Sequence, residues 1–315
     1  MTCQPSFSVI IPVYNGAKTV GRAIDSVLSQ SYLASQVIVV DDGSTDDTPV
    51  VLRRYEDKVQ CLRQANSGPS AARNAGSSAA GGEWLAFLDC DDWYYPDRLN
   101  SHADLITRLG DLDFVVGDFE YRDEAGTLLR RSMESTQIGK LLLQCAGDKG
   151  EAVMDEELLG DFVADQFSDL RCLSVPRRTC LELGGFSPDF SICEDVHFLI
   201  RLSARSKRAG VVCKPLAAYS VHGGGLVRSD RMRSQTETVR ALMSLQREIR
   251  GSRASVFHGW VKAVKRAHLD LAYCLARSGK KKAAAARIVA SFLFHPSPKD
   301  FRHLLSVLRP QFFRP

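Results

Sequence analysis

The sequence predicts an α/β protein: a mostly parallel sheet flanked by helices, followed by a C-terminal helical extension. Three observations point there. Short β-rich runs alternate with helix-period segments through the first 120 residues, at the spacing of βαβ units. Those runs are apolar without alternation, as strands are when helices cover both faces of a sheet. Beyond Gly223-Gly224-Gly225 the character changes, and residues 230–308 read as almost all helix. A chain of 315 residues, 44% hydrophobic and 25% charged, can bury a large core.

In chain order, strands are expected at Phe7–Ile11 (FSVII), Val37–Val40, Val59–Leu62, Trp84–Leu88 (WLAFL) and Phe114–Val116. Helices are expected between them at Lys18–Ser29, Thr48–Tyr55, Pro69–Ala80 and Asp97–Leu109. Pro69 suits a first helical position with Ser67 as its cap, and Asp46 or Asp47 can cap the helix from Thr48. Residues 120–170 are polar, acidic and irregular; only Lys140–Cys145 and Glu156–Val163 look helical. Then come a strand at Leu170–Val175, a short helix at Pro176–Leu183 ending in Gly184-Gly185, a helix at Cys193–Ala204 and a strand at Val211–Val221. The helical tail breaks near Gly251, Ser278-Gly279 and His295-Pro296. This gives one domain over residues 1–225, with halves meeting near residue 119, and a basic helical region over 226–315.

The net charge of +4 hides a split: residues 1–225 carry 22 Lys and Arg against 32 Asp and Glu, while 226–315 carry 19 against 5. An acidic body can bind metal and nucleotide, and a basic tail can meet an anionic surface. The nine cysteines show no C-x-x-C pair and are expected to be reduced thiols in a cytoplasmic setting. The first residues, MTCQPSFSVII, lack the pattern of a signal peptide. No window of about 18 apolar residues suggests a transmembrane helix. The basic tail has no aromatic interleaving or helix-turn-helix pattern, so no nucleic-acid partner is expected.

In an open parallel sheet, ligands bind outside the carboxyl ends of the strands. Strand one ends in Pro12-Val13-Tyr14-Asn15-Gly16, strand two in Asp41-Asp42-Gly43-Ser44 and the fourth in Asp89-Cys90-Asp91-Asp92, all expected on one rim. Tyr14 can stack on a base, and Asp41 or Asp42 can accept from a base N–H or a ribose hydroxyl. Asp89 and Asp91 can hold a hard divalent cation together with a diphosphate. Each residue also has a plain reading, since a strand-end Asp commonly forms a turn or caps a helix. Three carboxylates within four positions nevertheless repel one another, and something must offset that repulsion.

Five segments together carry a resemblance: SVIIPVYN (8–15), VIVVDDGSTDDT (37–48), NSGPSAARNAG (66–76), GEWLAFLDCDD (82–92) and GGFSPDFSICEDVHFLIRL (184–202). In order and spacing they resemble the signature blocks of the inverting family 2 glycosyltransferases, over roughly residues 6–222. The resemblance implies the Rossmann-like GT-A fold, a nucleotide-binding half before residue 120 and an acceptor half after it. It implies that Pro12, Tyr14 and Asn15 place the nucleotide base, that Asp41 and Asp42 reach base and ribose, and that Arg73 lies near the diphosphate. It also implies that Asp89 and Asp91 bind ribose and Mg²⁺ or Mn²⁺, and that Glu194-Asp195 supplies the catalytic base, with Asp195 the base itself. Asp92 is expected as a supporting or sugar contact. His222, in Tyr219-Ser220-Val221-His222, is a candidate to complete the metal shell.

The expected reaction moves one sugar from a nucleotide diphosphate sugar, with uracil the favoured base, to a hydroxyl acceptor with inversion. A carboxylate opposite the leaving group takes the acceptor's proton, and the cation and Arg73 stabilise charge on the diphosphate. No QxxRW-type block follows residue 195, which argues against a processive membrane synthase. Trp260, Val261, Val264 and Ala267-His268 beside Lys262, Lys265 and Arg266 suggest an interfacial helix. So do Ile288–Phe294 after Lys280-Lys281-Lys282, and Phe312-Phe313. That would place the chain peripherally on the cytosolic face of a membrane, with a lipid-linked acceptor in polysaccharide or lipid-linked glycan synthesis. A helical bundle packed on the catalytic domain explains the same pattern. Two rival functions are a non-catalytic sugar-nucleotide scaffold and a nucleotidyltransferase; PVYNGAKTV lacks the Gly-rich basic loop the latter needs.

Overall fold

The computed structural model describes residues 4–221 and 230–294. Its first half is the expected run of βαβ units: β1 (Phe7–Val13), α1 (Val20–Leu28), β2 (Gln36–Asp41), α2 (Thr48–Leu52), β3 (Gln60–Arg63), α3 (Pro69–Ala79) and β4 (Trp84–Phe87). β5 (Trp93–Tyr94), α4 (Arg98–Leu109) and β6 (Phe114–Asp123) follow. β1, β2, β3 and β4 pair in parallel. Every residue of β1 is buried because its side chains alternate between two cores. Val9, Ile11 and Val13 point into one, with α1. Ile10 points into the other, with Ile38, Val40 and Ala72 of α3. Gly76 lets α3 sit this close: a Cβ there would stand 2.6 Å from the Ile10 side chain.

The second half completes a mixed, mostly parallel sheet in the order β3-β2-β1-β4-β9-β6-β10-β5. Its elements are β7 (Leu128–Arg131), α5 (Gln137–Cys145), β8 (Glu151–Met154), α6 (Glu156–Ala164), β9 (Ser174–Pro176), α7 (Arg177–Glu182), α8 (Glu194–Arg205) and β10 (Ala209–Val221). β10 runs parallel to β6, while β9 lies antiparallel between β4 and β6. β7 pairs with β6, and β8 with β10, both antiparallel. The strand expected at Leu170–Val175 is instead a 3-10 turn at Leu170–Cys172 followed by the short β9. Asp169 starts that turn, its side chain accepting from the Arg171 N–H. Because β2 and β4 flank β1 on opposite sides, the chain changes winding direction at β1 and β4. A ligand crevice is expected outside their carboxyl ends.

The tail forms α9 (Arg231–Ser244), α10 (Gln246–Ile249), α11 (Ala254–Arg277) and α12 (Lys281–Phe292), with breaks at Gly251 and Ser278-Gly279. It packs on the sheet-flanking helices: Trp260 and Val264 share a core with Val163 of α6 and Ile200 of α8. Gly160 and Gly259 let α6 and α11 cross closely, since a Cβ at Gly259 would meet the Gly160 carbonyl oxygen at 2.0 Å. The interfacial reading of Trp260, Val264 and Ala267-His268 is corrected here, because all four are buried. Trp260 donates its indole N–H to the Leu242 carbonyl at 2.8 Å. Lys262 and Arg266 on the outer face pair with Asp161 of α6 and with Asp165 at its C-terminal end. Val289 on α12 and Leu293 just past its end are open to solvent, with Lys281 and Lys282 at the start of that helix. His222, Phe312 and Phe313 lie outside the described residues. Among those residues no helix is long and apolar enough to cross a membrane, and all eight cysteines are free thiols.

Candidate active site

The ends of β1 and β2 meet as the strand pattern requires. Pro12 is buried within β1, whereas Tyr14 and Asn15 are exposed at its end. Tyr14, 49% exposed, lines an open cleft of about 830 Å³ with Lys18, Arg22 and Asp91. Asn15 holds a left-handed backbone (φ 52°), and its amide oxygen accepts from the backbone N–H groups of Thr45 and Asp46. Asp41 and Asp42 are buried and engaged with their own chain. Asp41 accepts from the Ser44 N–H at 2.8 Å and pairs with Arg63. Asp42 accepts from Gln64 and from the N–H groups of Ser67 and Gly68. That leaves Ser67 outside the cap of α3, whose N-cap is Gly68 with φ 88°. Asp46, rather than Asp47, satisfies the first turn of α2 by accepting from Thr48.

The Asp89–Asp92 run shows how its repulsion is relieved. Arg73, reaching from α3, donates to Asp89 at 2.6 Å and to Glu194 at 2.8 Å. Arg171 donates through Nε to Asp92 at 2.7 Å. Arg22 donates to the Asp91 backbone carbonyl at 2.7 Å and lies over the Trp93 ring. Burial works against ionised Asp89, yet the Arg73 and Arg171 guanidiniums hold its carboxyl below the usual range. Both arginines stay charged despite burial because of their carboxylate partners. Asp92 is fully buried, with one oxygen on Arg171 and the other accepting from the Ser220 N–H, so it faces neither the cleft nor the cavity below it.

That second cavity, of about 390 Å³, joins residues far apart in sequence: Arg73, Asp89, Asp169, Arg171 and the Glu194-Asp195 pair. Asp89 belongs to it while Asp91 belongs to the open cleft, so the D-x-D motif stands on the lip between the two. Glu194 and Asp195 start α8, just after Cys193, which holds φ 71° and aims the turn at the cavity. The helix N-terminus favours negative charge there. Burial, with Glu194 and Asp169 next in effect, nevertheless pushes Asp195 up to about 7. A carboxyl tuned to that range can take a proton from a hydroxyl near neutral pH.

Asp89 and Asp91 present hard oxygen donors at one lip, which suits Mg²⁺ or Mn²⁺ when substrate phosphates and water supply the other ligands. Among the described residues no cluster of three or more His, Cys, Asp or Glu could hold an ion unaided. Tyr219, marked in the sequence only as the first residue of the stretch ending in His222, also lines the cavity, as do Asp169, Arg171 and Tyr121, which the sequence does not mark out. The trace of Asp169 and Arg171 there is the close pairing of charges in Asp169-Leu170-Arg171, at the start of what reads as a strand.

The family model described as Glycosyl transferase family 2 matches residues 8–156. The succinoglycan biosynthesis protein ExoO of Rhizobium meliloti is 44% identical over 97 residues, covering 30% of this chain and 28% of ExoO. The chain spans about a fifth to two fifths of the length of several curated relatives, uncharacterized glycosyltransferases of Rickettsia and Nostoc species. Among solved structures, the mannosyltransferase PcManGT from Pyrobaculum calidifontis, in complex with GDP-Man and Mn²⁺, has a TM-score of 0.62 at 21% identity, over 97% of this chain and 80% of that one. S. aureus TarS in complex with UDP-GlcNAc has a TM-score of 0.59 at 17% identity, over 95% and 92%. At these identities the likeness is one of fold.

Proposed function

The chain belongs to glycosyltransferase family 2, and from that premise we propose that it transfers a single sugar from a nucleotide diphosphate sugar to a hydroxyl acceptor, with inversion. One observation carries the reading: Asp195, pushed up to about 7 chiefly by burial, shares a cavity with Asp89 at the lip of the nucleotide-side cleft. In that arrangement the donor nucleotide lies in the open cleft against Tyr14, with its diphosphate at Asp89 and Asp91. Its sugar projects into the cavity. Mg²⁺ or Mn²⁺ at the two carboxylates would offset charge on the departing diphosphate. Arg73 sits beside Asp89 and Glu194, steadying both ends of the cavity. Asp195 takes the acceptor proton, and attack from its side inverts the anomeric carbon. The GDP-Man and UDP-GlcNAc complexes of the two structural neighbours support a sugar-nucleotide donor.

The relative ExoO, named for succinoglycan biosynthesis, supports a setting in polysaccharide synthesis. The exposed α12 face, with Val289, Leu293 and the lysines at its start, supports peripheral contact with an anionic membrane carrying a lipid-linked acceptor. Residues 1–225 form the catalytic unit in this proposal.

Calorimetry with UDP, GDP and dTDP, each with and without Mn²⁺, tests the donor side. One nucleotide should bind in a metal-dependent way, and Asp91→Ala should remove the metal dependence. Binding of none of them, or binding indifferent to metal, would move the scaffold reading forward. Anomeric analysis of the product by NMR checks inversion.

A further inference from the structure

The proposed chemistry uses Asp89, Asp91, Arg73 and the Glu194-Asp195 pair, and leaves one carboxylate in the cavity without a task. Asp169 lines the same cavity as Asp195, and its charge raises the proton affinity of Asp195. Resting on the glycosyltransferase reading above, we propose that Asp169 is a sugar-recognition residue. Its carboxylate accepts hydrogen bonds from hydroxyls of the pyranose held in the cavity, and Arg171 is the residue that positions it.

The placement of Asp169 is specific. One carboxylate oxygen accepts from the Arg171 backbone N–H at 3.2 Å, and the other is bonded to the Arg171 guanidinium. That guanidinium is fixed on its remaining sides. Its Nε is bound to Asp92 at 2.7 Å, and its central carbon lies 4.7 Å from the centroid of the Phe119 ring and 4.5 Å from that of Tyr219. Arg171 cannot turn to a ligand without abandoning a fully buried carboxylate. The Asp169 side chain is 21% exposed against 8% for Arg171, so the carboxylate is the more open member of the pair. An ionised carboxylate offers about four acceptor sites, of which two are taken here.

The cavity's chemistry selects a neutral polyhydroxyl ligand. Asp169 and Asp195 both line it, which disfavours a phosphate at that end. Tyr121 and Tyr219 line the same space with ring centroids 5.3 Å apart, edge to face, giving an apolar wall for the C–H face of a pyranose. Aromatic surface beside a few fixed acceptors is what a sugar ring requires, and the ring could come from the donor or from the acceptor.

The test compares affinities in the presence of Mn²⁺ for UDP against UDP-GlcNAc and for GDP against GDP-mannose. The proteins are the wild type, Asp169→Asn and Arg171→Lys. In the Asn variant the sugar conjugate that the wild type binds should weaken by about tenfold to a hundredfold, while the free diphosphate stays within about twofold. The unchanged diphosphate affinity reports an intact fold. Arg171→Lys should show the same split in smaller measure. If conjugate affinity holds while acceptor KM rises by that factor at constant kcat, the pyranose is the acceptor's. If neither quantity moves in Asp169→Asn or Asp169→Ala, the assignment is overturned. A wild type that binds no nucleotide overturns the underlying reading, and this assignment with it.

Discussion

At the end of β2, acidic side chains are spent on their own chain: Asp42 accepts from Gln64, Ser67 and Gly68, and Asp41 from Ser44. Across the lip, in the cavity, Asp89, Asp169 and Asp195 face open space. Two of them are steadied by arginines whose guanidiniums are themselves buried. Both regions bring aspartates to the carboxyl end of one sheet. In the first the carboxylate replaces missing backbone partners and shapes a loop that a ligand can then meet. In the second, desolvation and like charge keep protonation of Asp195 near neutral pH available. A carboxylate at a strand end is therefore informative about chemistry only once its partners are known.

Substitutions can break this contrast. The largest effect is expected from Arg171→Met, which strands Asp92 in the interior; denaturant unfolding should show a loss of about 3–5 kcal/mol. Adding Asp92→Asn should recover much of it, and no recovery would mean the pair is not the source. Asp42→Ala should cost about 2–3 kcal/mol through the unsatisfied Ser67 and Gly68 N–H groups. A stability equal to wild type, with nucleotide affinity alone reduced, would instead make Asp42 a binding residue of the cavity kind. The smallest effect has the opposite sign. Asp195 holds its proton more tightly folded than unfolded, so its contribution favours folding at low pH and is lost as pH rises through about 7. Thermal melts of Asp195→Asn should thus lie above those of wild type at pH values above that range, with the gain vanishing near pH 4. An equal gain at every pH would deny the raised proton affinity.

The same division governs what the sequence made legible. β1, β2 and β4 are apolar over most of their length because both faces are covered, and they stand out. β7, with all four residues exposed, and β5, with two residues, carry no pattern to find. Trp260 and its neighbours looked like a membrane face because a helix buried against a second layer shows the same apolar stripe as one lying on lipid. The motif residues were legible as types, and Glu194 and Asp195 do face the cavity with Asp89. Arg171 was not, because its meaning depends on Asp92, 79 residues earlier, and on the rings of Phe119 and Tyr219. The repulsion within Asp89–Asp92 looked from sequence like a demand for metal. Much of it is met by Arg73 and Arg171.

Asp195 is the residue on which the proposed transfer depends most directly. The measurement is the sugar-transfer rate of wild type and Asp195→Asn across pH, beside their affinity for the donor nucleotide with Mn²⁺. The account predicts a wild-type rate that climbs through about pH 7, and a loss in the variant of about a thousandfold at unchanged nucleotide affinity. Transfer by Asp195→Asn at near the wild-type rate would contradict it.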